Sequence, residues 1–149
     1  MTGYLDPFIR GVDHHLLADI KKAIQGEYNA IHCYQLLAEQ APSSKERKQI
    51  LEIREDEIKH YNQFINLYYR LTGKRLKPQV TESCPSNYLE GLKFSIEDEQ
   101  ETVDFYLEIS DKAKESYIRK LFKRAAKDEQ NHAVWFLYFY TKYCCKKAK

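Results

Sequence analysis

"DEIKH" at residues 56–60 and "DEQNH" at residues 128–132 decide the reading of this chain, because the same Asp-Glu-x-x-His pattern is written twice, 72 positions apart. The offset extends outward from both copies. Glu27 maps to Glu99, Tyr34 to Tyr106, Ser44 to Ser116, Arg47 to Arg119, Phe64 to Phe136 and Tyr68 to Tyr140. Each half therefore carries a Glu, a Tyr seven residues later, and D-E-x-x-H with its own Glu 30 residues after the first. With 14 Glu and 5 His in 149 residues, one E-x-x-H arises by chance about 0.5 times and means little. Two copies, each preceded by Asp and each with a Glu at the same upstream distance, have a chance probability on the order of 10⁻⁵. The chain reads as a duplicated helical hairpin, one domain over residues 1–149 with halves at about 13–73 and 86–143.

Punctuation around the repeat predicts four long helices and no strand. Asp13 is a candidate N-cap for the first, which runs to Ala41 before Pro42. Ser43 with Glu46, and Asn87 with Glu90, have the spacing of a helix start for the second and third; Gly73 closes the second, and the third fades near Asp111. The fourth runs from about Ser116 to Tyr143. Tight connections make helices 1 and 2, and helices 3 and 4, antiparallel neighbours. Residues 74–86 form a longer connection, thirteen residues that reach roughly 40 Å when extended, as long as a helix of about 28 residues. The fold class is all-α: a four-helix bundle of two antiparallel hairpins joined by one long crossover.

The helical faces turn this pattern into chemistry. Ile20, Ala23, Ile24, Ile31 and Tyr34 share a face with Glu27; Ile50, Ile53, Tyr61 and Phe64 with Glu57. Leu92, Ile96, Val103 and Tyr106 share one with Glu99; Ile118, Phe122, Ala125, Ala133 and Phe136 with Glu129. Four carboxylates thus point to the core, and an unpaired buried charge costs several kcal/mol or takes up a proton. No Lys or Arg lies on these faces apart from Arg54 at their margin. Two divalent ions would balance four carboxylates, and His60 and His132, one turn after their glutamates, add a neutral nitrogen each. This is the di-iron or di-manganese carboxylate arrangement of helix bundles. Glu27 and Glu99 would be terminal ligands, Glu57 and Glu129 bridges, and His60 and His132 would each complete one ion. Oxygen-rich ligation favours iron or manganese over a structural zinc. No catalytic residue beyond these ligands is assigned.

A surrounding layer is also written twice. Asp56 and Asp128 are placed to accept the free ring N–H of the histidine on the other motif helix. Tyr34 and Tyr106, leaning back toward their N-termini, could reach the ligands; plain core packing is the competing reading of both. His14, His15 and His32 lack the repeat and lie off the Glu27 face.

On these residues the chain resembles the ferritin-like superfamily, and within it the rubrerythrin-type di-iron proteins, over about residues 13–143. The resemblance implies a left-handed four-helix bundle holding two iron ions, with manganese as the alternative. It also implies oxidation of Fe(II) by dioxygen or hydrogen peroxide, with an electron donor still to be identified. The chain departs from rubrerythrins at Thr102, where they carry a further Glu, and in lacking their rubredoxin-like four-cysteine pattern. No haem is expected, since the only Met is Met1. Two other functions compete: a metal-stabilised assembly or coat component, and a dimanganese catalase-like protein.

Composition narrows the partners. A net charge of +2 from 24 basic and 22 acidic residues gives no electrostatic case for nucleic acid. The longest apolar run, "AVWFLYFY" at 133–140, is too short for a membrane span; apolar nearly all round, it calls for cover by the N-terminal "YLDPFIR" or by a second subunit, and a homodimer is expected. The four cysteines show no C-x-x-C spacing, so no disulfide framework is expected: Cys33 reads as a small core residue and Cys84 as a loop residue. With no visible signal peptide at "MTGYLDPFIR", a cytoplasmic location is expected.

Overall fold

The computed structural model describes residues 13–144 and 146. They form four helices, α1 (His14–Gln40), α2 (Ser44–Thr72), α3 (Tyr88–Lys112) and α4 (Ser116–Cys144), with no strand among the described residues. The ends are set by the expected chemistry. The side chains of Asp13, Ser43 and Asn87 accept the backbone N–H groups of His15, Glu46 and Glu90, satisfying donors that the first turn leaves open. Gly73 ends α2 at φ 72°, a left-handed conformation that favours glycine. The Glu46 carboxylate accepts from Ser43 Oγ at 3.0 Å and from Tyr143 Oη at 2.7 Å, tying the start of α2 to the end of α4.

The hairpins α1–α2 and α3–α4 make the most extensive contacts, and α1 packs on α3 as α2 does on α4. At the α1–α3 seam Gly91 lets the helices close: a Cβ there would lie 2.6 Å from Leu37 Cδ1. Residues between Gly73 and Asn87 climb alongside α1 and are pinned to it in register. Gln25 Nε2 donates to Gln79 O at 2.8 Å, Asn29 exchanges hydrogen bonds with the Thr81 hydroxyl and N–H, both at 3.1 Å, and Gln40 Nε2 donates to Pro85 O.

One further pin overturns the cysteine reading. Cys33 and Cys84 form a disulfide across a sequence separation of 51, with Cα atoms 5.3 Å apart. Spacing rules find local cysteine pairs; here the crossover carries residue 84 back beside α1, and no short motif records it. The expectation of no disulfide, with Cys33 a small core residue and Cys84 a loop residue, is corrected by this bridge.

The core is split in two. One apolar cluster gathers Ile20, Ile24, Phe64, Ile109, Ile118 and Phe122; the other gathers Leu37, Ile50, Ile53, Leu92, Phe136 and Phe139. The repeated carboxylates and histidines lie between them along the helices. On α4, Ala133, Phe136 and Phe139 are buried while Val134, Leu137 and Tyr138 are exposed. The segment "YLDPFIR" expected to cover this run lies outside the described residues. No helix among the described residues is long and apolar enough to cross a membrane.

Candidate metal centre

Each helix contributes its central stretch to one polar layer: Glu27 from α1, Glu57 and His60 from α2, Glu99 from α3, and Glu129 and His132 from α4. All six are at most 3% exposed. They fall into two overlapping groups, Glu27–Glu57–His60–Glu129 and Glu57–Glu99–Glu129–His132, in each of which one ligand-type atom per residue lies within 4.8 Å of the others. Glu57 and Glu129 belong to both groups, Glu27 and His60 to one, Glu99 and His132 to the other.

The histidines show which nitrogen is on offer. His60 Nε2 meets Asp128 Oδ2 and His132 Nε2 meets Asp56 Oδ2, each at 2.9 Å. A carboxylate accepts only, so each Nε2 carries the hydrogen and each Nδ1 is free for another role. Both Nδ1 atoms face inward. His60 Nδ1 lies 3.2 Å from Glu129, 3.5 Å from Glu27 and 3.7 Å from Glu57. His132 Nδ1 lies 2.7 Å from Glu57, 3.2 Å from Glu129 and 3.7 Å from Glu99. Asp128 is steadied by Arg124 at 3.1 Å. Asp56 is half exposed.

The terminal carboxylates are held from across the repeat. Tyr34 Oη donates to Glu99 Oε1 at 2.5 Å, and Tyr106 Oη donates to Glu27 Oε1. Burial and the facing carboxylates push both phenols well above their usual range, so they stay protonated donors. Arg54 directs its Nε to Ile31 O at 2.9 Å. His14, His15 and His32 are exposed and take no part.

The electrostatics are those of too many carboxylates in too little water. Burial, then the charges of Glu27 and Glu99, raise Glu57 to about 8. Burial with Glu57 and Glu27 raises Glu129 to about 7, and burial with Glu129 raises Glu99 well above the usual range. Burial also presses Glu27 upward, but its close contacts with Glu57 and His60 outweigh it and hold Glu27 low. Burial alone would lower the histidines; their contacts with the glutamates outweigh it and raise both. Without a metal ion the cluster therefore holds protons where cations would sit.

The donor set fits a divalent metal. Glu27 Oε2, Glu57 Oε1, Glu129 Oε1 and His60 Nδ1 are buried without a hydrogen bond of normal geometry, and buried polar atoms rarely remain so without an ion or water. Carboxylate oxygens with one imidazole per group suit iron or manganese. A cavity of about 370 Å³ between α1 and α3 reaches Glu27, Glu57, Glu99 and Glu129, and its lining includes the exposed Lys22, Gly26 and Glu101. Thr102 lines this cavity, its hydroxyl donating to Asp98 O. Burial and the charge of neighbouring Glu99 raise Asp98 to about 7. Asp98, Gln25 and Asn29 also line the cavity, and the repeat does not single them out. A partial signal for two of them exists: Gln25, Asn29 and Cys33 recur every four residues, a stripe of small polar groups and sulfur facing the crossover.

Known proteins share this fold. The rubrerythrin family model matches residues 90–148. The Bacillus subtilis (strain 168) protein YhjR is 52% identical over 127 residues, 85% of this chain and 88% of YhjR. A solved structure of a hypothetical protein from Pyrococcus furiosus has the same fold, with a TM-score of 0.75 at 22% identity over 91% of this chain and 94% of that one. The chain belongs to the rubrerythrin family of the ferritin-like superfamily.

Proposed function

We propose that the protein binds two iron ions in the buried cluster and oxidises Fe(II) with dioxygen or hydrogen peroxide, as a ferroxidase or peroxidase in iron handling or oxidative-stress defence. The observation that carries this reading is the pair of four-residue groups sharing Glu57 and Glu129. Iron would supply one-electron redox steps and Lewis acidity to an oxidant.

The chain's own groups do the rest. Glu57 and Glu129 would bridge the ions, and Glu27 and Glu99 would each bind one. His60 and His132 present Nδ1 because Asp128 and Asp56 hold the Nε2 hydrogens. Tyr34 and Tyr106 fix one oxygen of each terminal carboxylate, leaving the other for a cation. Glu57 and Glu129 give up their protons on metal binding. The two apolar clusters keep bulk water away, and the cavity at Gly26 and Thr102 admits a small oxidant.

The test is metal content per chain after anaerobic loading with Fe(II), or with Fe(II) and Mn(II) in competition, followed by absorption spectra on adding air or peroxide. Two irons per chain, oxidised on exposure and absent from Glu57→Ala, are expected. A folded wild-type protein that retains no iron would overturn the reading, and selective retention of manganese would replace it with the dimanganese one.

A further inference from the structure

We propose that Cys33 and Cys84 are a redox-active dithiol–disulfide pair that supplies two electrons at the carboxylate–histidine cluster and is re-reduced at Cys84 by an external thiol. The proposal rests on the metal-oxidation reading above and names its electron donor. Position carries it. Cys33 directly precedes Tyr34, whose hydroxyl holds Glu99. Ser95, one turn before Glu99 and so about 6 Å from it along the α3 axis, borders the small pocket beside the disulfide.

The repeat relates the position of the pair to that of the cavity that reaches the cluster. Under the 72-residue offset Cys33 corresponds to Phe105, Ser95 to Ala23 and Phe94 to Lys22. Phe105, Ala23 and Lys22 line one end of the cavity that opens onto the carboxylates. Cys33, Ser95 and Phe94 line the disulfide pocket. The disulfide thus occupies the matching position at the other end of the same α1–α3 seam, and there the chain replaces an aromatic ring with a sulfur.

The crossover does not depend on this bond alone for its register on α1. Hydrogen bonds at Gln25, Asn29 and Gln40 pin the crossover to α1 on both sides of it. Cys33 is buried, at 7% exposure, whereas Cys84 is only partly covered, so its sulfur is the one open to an incoming thiolate.

The balance closes with hydrogen peroxide as oxidant. The two thiols lose two protons and two electrons and join as the disulfide, while the O–O bond breaks and two waters leave. Two external thiols then attack in sequence through a mixed disulfide at Cys84 and restore the dithiol.

The experiment uses the full chain, reduced, loaded anaerobically with Fe(II), desalted and assayed for iron. One equivalent of hydrogen peroxide is added, free thiols are alkylated at intervals, and peptide mass spectrometry assigns them. Bridging of Cys33 to Cys84, one bridge per peroxide, is expected at a rate at least about tenfold above that of Glu57→Ala. Iron retained and peroxide consumed, with both cysteines still alkylated or bridging as slowly as in Glu57→Ala, overturns the proposal. Failure to retain iron at all is a failure of the metal reading, and a second arm then decides the pair. Metal-free folded protein is equilibrated in glutathione buffers: a bridge that exchanges between oxidised and reduced states supports it, and one that resists until the chain unfolds overturns it.

Discussion

Replacing Glu57 with Gln should make the metal-free protein less sensitive to pH while abolishing its metal affinity. The Glu57 carboxyl is raised from 4.5 to about 8 by burial and by Glu27 and Glu99. Its folded-state value lies above its unfolded one, so the folded state holds this proton more tightly. The stability this confers is fully present below pH 4.5 and is lost as pH rises through about 8. At roughly 1.4 kcal/mol per unit, the loss is on the order of 5 kcal/mol. Glu129, raised to about 7, adds a loss of the same sign. Glutamine keeps the shape and carries no charge, so Glu57→Gln removes its own titration. It also removes the charge that helps raise Glu129. Urea unfolding followed by circular dichroism, on chelator-treated protein between pH 4.5 and about 8, gives the assay. Wild-type stability should fall across that window by up to about 1.4 kcal/mol per pH unit for each proton lost, and the variant should fall by at least one proton less. Metal-loaded wild type should show the opposite trend, because ions displace those protons. Parallel profiles for wild type and variant without metal would refute the assignment of Glu57 as a buried carboxyl strained by its neighbours.

Three more expectations follow from the packing. Asp128→Asn and Asp56→Asn should each weaken metal binding about 10–100-fold by releasing the histidine tautomer, measured by competition with a chromophoric chelator; no change would remove the aspartates from the site. Cys84→Ser should lower stability by about 4 kcal/mol in a chain-entropy account of a 51-residue separation, read from the urea midpoint, with the helices still formed. Gly91→Ala, meeting the end of the buried Leu37 side chain at 2.6 Å, should cost about 1 kcal/mol in the same assay; a stabilised variant would mean that the α1–α3 seam is looser than described.

Most of the fold is written locally. Asp13, Ser43, Gly73 and Asn87 mark helix ends because the groups they satisfy lie within a few residues. The cluster is legible for a different reason: a carboxylate on an apolar face is a conflict, and four such conflicts at a repeated spacing identify one another. The Asp–His pairs follow from the same register. Cys33–Cys84 does not, because no periodicity reports the path of an irregular connection. Asp98 and the cavity escape for a similar reason, since the space between α1 and α3 depends on how closely Gly91 and its neighbours let the helices approach. Arg54 reads as marginal in the sequence, and the hydrogen bond of its Nε to the Ile31 carbonyl is not recorded by any spacing.

The crossed partnerships have a consequence for motion. Each candidate group draws three residues from one half of the chain and one from the other, and every tyrosine and aspartate in the surrounding layer reaches across to the opposite half. Neither hairpin can build a complete site before the other docks. A bound ion therefore acts as a rivet between hairpins. Chelation should leave amide exchange within each hairpin slow, but quicken it at residues along the α1–α3 and α2–α4 contacts, where opening needs only that the halves part.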